Sequence, residues 1–255
     1  MAEIAVFYVA VFAVFYFTAN TLAVISIISL VLSILYQETL KEEERYKGTL
    51  TGSIGRLLIV AKNRGFIIPA VIFSLGAIPF MGYIATSAYI YEDYFGLSAQ
   101  SYSYFVAANA LLTLFGPFIY IRFLSAMDKK VFTLLFFGIS TLSGVLVMTI
   151  GTVAPILFLL SFVLMSLSVA IIRPFSTNLL LEQQKSDIGS ASSLINTLFT
   201  VLGSIGMTVA SVPWGNIVVD LGVLITIFSA LSLVSWNLFL KSNIPCVGIK
   251  DILSS

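Results

Sequence analysis

A small set of polar side chains interrupts the apolar segments of this sequence: Tyr83, Thr86, Ser87, Tyr91, Asn109, Thr113, Ser161, Ser168, Asn196 and Thr200. They are hydroxyls, amides and phenols, so their chemistry is hydrogen bonding and aromatic contact rather than proton transfer. The spacing is helical. Tyr83 and Ser87 lie four apart on one face, and Tyr91 continues it; Asn109 with Thr113, and Asn196 with Thr200, repeat the pattern. Two uses are open on the residues alone. Such groups bond a neighbouring helix, at ~0.6–2 kcal/mol each in a membrane. Alternatively they line a path for an amphiphilic compound, with aromatics giving apolar contact and amides a few directed hydrogen bonds.

Catalysis is not among the expectations. The chain has no His and one Cys. No embedded acid pair supplies a base or a nucleophile, so the sequence reads as a non-enzyme with no metal site and no cofactor. No Asp, Glu, Lys or Arg is expected in the central two-thirds of any of the last six apolar segments, which leaves no proton relay there. Arg122 and Arg173 read as helix ends, suited to anchoring, with a gate ion pair to Asp128, Glu182 or Asp187 as the alternative. A net charge of +1 without a basic face excludes nucleic acid as a partner. Cys246 reads as a reduced thiol near the tail, with lipidation as a weaker alternative.

The elements that must hold these residues follow from composition. The chain is 59% hydrophobic and 10% charged, against roughly 25% charged in soluble domains. Its exterior is therefore expected to face lipid: an all-α, polytopic membrane helical bundle. Residues 4–36 are apolar and, as one helix, would run ~50 Å, so a break is expected at 18–21. That leaves a stub at 4–13 and a spanning helix at 22–36. The acid at Glu3, where a signal peptide is basic, argues against a cleaved leader. The long polar stretch is 38–64. Within it Ile54, Leu57, Leu58 and Ala61 recur at helical spacing, as in a short helix on a membrane surface. Apolar segments follow at 65–91, 102–123, 131–151, 155–172, 189–212 and 221–240.

Threading these segments in turn places every Lys and Arg on one side. The opposite loops, 92–101, 152–154 and 213–220, hold Glu92, Asp93 and Asp220 and no basic residue. The positive-inside rule makes the basic side, with the C-terminus, cytoplasmic in a cell membrane.

A linker followed by six helices resembles the second half of a major facilitator superfamily transporter. Phe95-Gly96-Leu97-Ser98, Gln100 and Asn109-Ala110 resemble the outer turn and eighth helix of drug-efflux members of the bicyclomycin/chloramphenicol-resistance (Bcr/CflA-like) branch. Pro174, Gly189-Ser190-Ala191-Ser192, Gly203 and Gly206 resemble its eleventh-helix region. Glu38-Thr39-Leu40 resembles the close of its sixth helix, with Gln37 in place of the usual Pro. Gly116, Arg122 and Asp128-Lys129-Lys130 only partly echo the family's loop signature.

The resemblance implies a domain plan. Residues 1–37 end an N-terminal domain, 38–64 link the halves, 65–241 form the C-terminal six-helix domain, and 242–255 are a cytoplasmic tail. It also implies proton-coupled export of small amphiphilic compounds by alternating access, in the lipid bilayer, with half a site in this chain. The alternative is a non-transporting fragment, or a half-module that pairs with a separately encoded N-terminal half. The family's seventh, eighth, tenth and eleventh helices border its cavity. On that plan the cavity candidates are Tyr83, Ser87, Tyr91, Asn109, Thr113, Ser168, Asn196 and Thr200. Gly203 and Gly206 suit close helix packing, and Pro79 with Gly82 suits either a hinge or a plain kink.

Overall fold

The computed structural model describes residues 20–35, 50–184, 187–212 and 214–249. The chain divides into two units, Met1–Thr49 and Leu50–Ser255. In the first, the described part is one apolar helix, α1 (Asn20–Leu35). The expected stub at 4–13 and the 38–49 part of the polar stretch lie outside the described residues.

The second unit runs α2 (Leu50–Lys62), α3 (Arg64–Tyr94), α4 (Ala99–Leu124), α5 (Lys129–Thr149), α6 (Pro155–Glu182), α7 (Ile188–Ala210) and α8 (Ile217–Lys241). Helices α3 to α8 are each long and apolar enough to cross a bilayer. The protein is an all-α, multi-pass membrane helical bundle.

Local signals set the starts. Asn63 accepts from Gly65 N at 3.0 Å and caps α3. Ser98 caps α4 through Ser101 N. Asp128 accepts from Lys130 N and Val131 N, both at 3.0 Å, and caps α5. Pro155 opens α6, where a missing N–H costs nothing. Asn216 caps α8 through Val218 N and Val219 N. Asp187, before α7, is the exception. It adopts a left-handed φ of 59°, and its carboxylate is paired with Arg56 at 2.6 Å instead of capping.

Small residues let two helix pairs approach closely. A β-carbon on Gly206 would collide with the Ile78 backbone, and one on Gly203 with Met81. Gly82 looks back at Ala210, so α3 and α7 meet over glycine on both sides. Gly144 and Gly222 lie against each other's helices in the α5–α8 pair. Without water to drive association, backbone proximity of this kind is what holds membrane helices together. Phe132, Phe136, Phe175, Trp236 and Phe239 fill the core at one end; Tyr83, Tyr91, Phe158 and Phe162 fill it at the other.

Hydrogen bonds fix which connections share an end. Asn63 donates to the Gln183 carbonyl at 3.2 Å, and Gln183 exchanges two bonds with Val247. The start of α3, the α6–α7 connection and the tail after α8 therefore meet. At the other end Tyr94 donates to the Thr152 carbonyl, and Asn216 donates to Tyr94. The first end carries Arg56, Lys62, Arg64, Lys129, Lys130 and Lys241; the second carries Glu92, Asp93 and Asp220. The tail packs onto the first end, where the Pro245 carbonyl abuts Gly65 and Cys246 is fully buried. In α2 the buried position is Val60, while Leu58 and Ile59 stay exposed. Val60 packs against the α3, α6 and α7 side chains Phe66, Leu180 and Ala191.

Candidate functional site

A proline has no N–H, so the carbonyl one turn earlier loses its partner. Three helices carry this defect in mid-course. Helix α3 breaks at Leu75 and Gly76 and restarts at Ala77, because Pro79 cannot bond the Leu75 carbonyl; Ile78 N takes it instead at 3.1 Å. Helix α4 is interrupted at Phe115, just ahead of Pro117. Helix α6 carries Pro174 but continues through it.

The three defects come together. Gly116 sits so close to α6 that a β-carbon there would overlap Ala170. Phe80, Pro117 and Pro174 all border one open groove of about 650 Å³. Its remaining wall includes Thr113 and Leu114 from α4, Ser166, Val169 and Arg173 from α6, and Phe199 from α7. Irregular backbone inside a membrane is tolerated where it is buried in protein or lines a cavity, and this groove is where it converges.

Arg173 corrects the sequence reading. The apolar segment was expected to end at Ile172, with Arg173 as its terminus. The helix instead runs to Glu182, with Arg173 well inside it. The physical reason is that Phe175, Leu179 and Leu180 continue the buried face beyond Pro174. The Ser176 hydroxyl also bonds the Arg173 carbonyl at 3.0 Å. Arg173 is the nineteenth of the helix's 28 residues, with nine more beyond it.

The Arg173 guanidinium donates to Asn196 Oδ1 at 3.2 Å and lies over the Phe199 ring, 4.1 Å from its centroid. Both partners are on α7. Among the described residues no carboxylate reaches it at ion-pair distance. Asp187 pairs with Arg56 and Asp128 caps α5, so among the described residues the alternative of a gate pair to Arg173 is not seen. No acidic residue lines the groove.

Behind the groove lies a narrow cleft of about 40 Å³ that shares Val169, Arg173 and Phe199 with it. Ser74, Ser140 and Ser229, from α3, α5 and α8, line this cleft. Each is 4% exposed. Most other buried hydroxyls close onto the preceding turn, as Ser168 does onto Leu164 and Ser161 onto Leu157. The three cleft serines make no such bond.

The sequence candidates divide by place. Thr113 lines the groove, Asn109 lies beneath it and accepts from Ser166 at 2.8 Å, and Asn196 holds Arg173. Thr200 is exposed on α7, and Ser168 is buried. Tyr83, Ser87 and Tyr91 stand apart. Tyr83 stacks on Phe162 at 3.9 Å, Tyr91 stacks on Phe105 at 4.9 Å and meets Phe158 edge-on at 5.4 Å. Ser87 pairs with Tyr102 at 3.2 Å. The Tyr83 and Tyr91 hydroxyls are buried without a hydrogen-bond partner. Gly203, Gly206 and Gly82 occupy the α3–α7 contact, and Pro79 marks the α3 break.

Sequence reasoning missed the place of Arg173 inside α6, and with it Phe199, Ser166 and the serine cleft. One signal was present for the first. Apolar residues return at Phe175 and at Leu179-Leu180-Leu181, and no Gly precedes Gln183 to stop the helix, although Asn178 lies between them. Among the described residues no cluster of His, Cys, Asp or Glu could hold a metal.

No protein-family model matches the chain. Over 182 residues it is 26% identical to a protein of Bacillus subtilis (strain 168) described as the uncharacterized MFS-type transporter YdgK. The match covers 69% of this chain and 44% of that relative, so it accounts for under half of the relative's length.

Proposed function

We propose that the protein is a membrane transporter of the major facilitator type, and that this chain supplies its C-terminal six-helix half together with the inter-domain linker. The observation that carries this is the groove: two interrupted helices, the proline-bearing α6 and α7 form one open wall, in a chain related to an MFS-type transporter. Sites of secondary transporters lie between two such halves, where helices are discontinuous. The four contributing helices, α3, α4, α6 and α7, correspond to the seventh, eighth, tenth and eleventh of the family plan. The cargo is a small amphiphilic compound or drug, and the direction is export by alternating access, coupled to proton antiport. The chain supplies half of the binding site, with Asn109, Thr113 and Asn196 on its surface or just beneath.

The test is accumulation of fluorescent amphiphiles in pump-deficient cells. One set expresses the chain alone; a second expresses it with an N-terminal half from the Bacillus relative. No energised export is expected from the chain alone, and export is expected from the pair. Export by the chain alone overturns the half-site reading, and none in either set overturns the transporter reading. The basic end is cytoplasmic on this proposal. A cysteine placed at Lys130 should then react with an impermeant maleimide only after the cells are opened, and one at Glu92 in intact cells.

A further inference from the structure

A guanidinium inside a long apolar helix, with no carboxylate in reach among the described residues, faces a cavity or a partner. Arg173 faces a groove. Asn196 and the Phe199 ring hold the guanidinium from the α7 side. Those contacts fix its orientation without neutralising it. A guanidinium has five donors in a planar fork; Asn196 takes one. The groove around it is apolar, with Phe80, Leu114, Pro117 and Phe199 in its wall. The cleft behind it presents three serine hydroxyls, each more than nine-tenths buried and none hydrogen-bonded. These hydroxyls are free to bond whatever occupies the cleft. The cleft itself, at about 40 Å³, has room for a water molecule or a small polar group and not for an organic body.

We propose that Arg173 is the anion-binding residue of this groove, and that its ligand is an organic anion: a carboxylate or sulfonate on an apolar or aromatic body. The acidic group takes the free face of the guanidinium, at the mouth of the serine cleft, and the body lies along Phe80, Leu114 and Phe199. The inference rests on the transporter reading only in treating this ligand as cargo; binding is measured without transport. Lipid phosphate would present the same charge from another source, and the experiment separates the two.

The chain is reconstituted in phosphatidylcholine nanodiscs and titrated with two probes of nearly the same body. One is the sulfonate 1-anilinonaphthalene-8-sulfonate; the other is uncharged N-phenyl-1-naphthylamine. Empty discs are subtracted. Saturable sulfonate binding is expected, displaced by benzoate and not by benzyl alcohol. Arg173→Gln should weaken it by about tenfold or more, the scale of one charge-assisted bond, and leave the neutral probe unchanged. Arg173→Lys, which keeps a charge but loses the fork, should fall between. Equal loss of both probes in a folded Arg173→Gln variant overturns the proposal. Should that variant not fold, the wild-type competition decides, since failure of benzoate to displace the sulfonate also overturns it. If adding phosphatidylglycerol abolishes sulfonate binding, the site belongs to lipid headgroups and the proposal falls. Charge-selective binding without export by any pairing would keep Arg173 assigned and remove the transporter reading; export without charge selectivity would do the reverse.

Discussion

The Arg173 groove and the Tyr83–Tyr91 cluster are built from similar parts, aromatic rings and polar tips on α3, α4 and α6, yet they end in opposite states. In the tyrosine cluster the central rings are covered: Tyr91 and Phe158 are fully buried and Tyr83 nearly so. Both phenol hydroxyls are buried there without a partner at hydrogen-bond distance. In the groove the helices are interrupted, and the rings that remain leave a wall uncovered. Closed packing there was prevented by backbone, since the α3 and α4 breaks and Pro174 deny those helices a continuous smooth face. A polar residue in a membrane helix thus acquires a role from what covers it, not from being polar.

That contrast can be broken most sharply by emptying each site of one ring. Phe158→Ala should destabilise the bundle, and Phe199→Ala should not. In lipid the transfer part of the usual cost is absent, because the unfolded helices also sit in an apolar medium. The cavity part remains: at ~24 cal/mol per Å³, roughly 100 Å³ lost is about 2 kcal/mol. Denaturant titration in mixed micelles reads this for Phe158→Ala. Phe199→Ala, at the groove surface, should leave that midpoint in place and weaken binding of both naphthalene probes. An equal stability loss in the two variants would show that the groove is packed as tightly as the cluster.

How far could this have been read from the sequence? The spans were legible because charge stops where lipid begins, and Pro79 and Gly116-Pro117 announced two of the helix interruptions. Sharing of a face was legible too, since Asn109 and Thr113 lie four apart and both serve the groove. Tyr83, Ser87 and Tyr91 have the same spacing and serve a closed core. Spacing reports which side chains share a face, and nothing local reports which helix covers that face. The α6 boundary failed for a different reason. Arg-Pro looks like a stop, but the apolar face beyond it is buried against α5, α3 and the tail, and that burial outweighs one lost hydrogen bond. The serine cleft was illegible because its lining comes from separate helices that only tertiary packing brings together.

A middle-sized effect tests the layer beneath the groove. Asn109→Ala removes the acceptor of the Ser166 hydroxyl. Interhelical bonds of this kind average about 0.6 kcal/mol in membranes, with an upper range near 1.7. A stability loss of about 1 kcal/mol is expected, together with weaker binding of the sulfonate probe as Ser166 turns in the wall. Unchanged binding would confine Asn109 to structure and detach it from the site.

The smallest expected effect is the most discriminating. Tyr91→Phe deletes a hydroxyl that is buried and bonded to nothing, while keeping the ring that stacks on Phe105. Removing a satisfied buried hydroxyl costs about 1 kcal/mol, whereas removing an unsatisfied one relieves a desolvation penalty. The midpoint in micelles should therefore hold or rise slightly, and the double change Tyr83→Phe with Tyr91→Phe should do the same. Ser140→Ala offers the comparison in the cleft, a hydroxyl on a buried residue that lines the cleft and makes no hydrogen bond. If a ligand group or an ordered water serves the cleft serines, that variant loses binding of the sulfonate while the tyrosine variants do not. A marked loss of stability in Tyr91→Phe would instead show that a water satisfies the phenols, and the cluster would then be wet as well as buried.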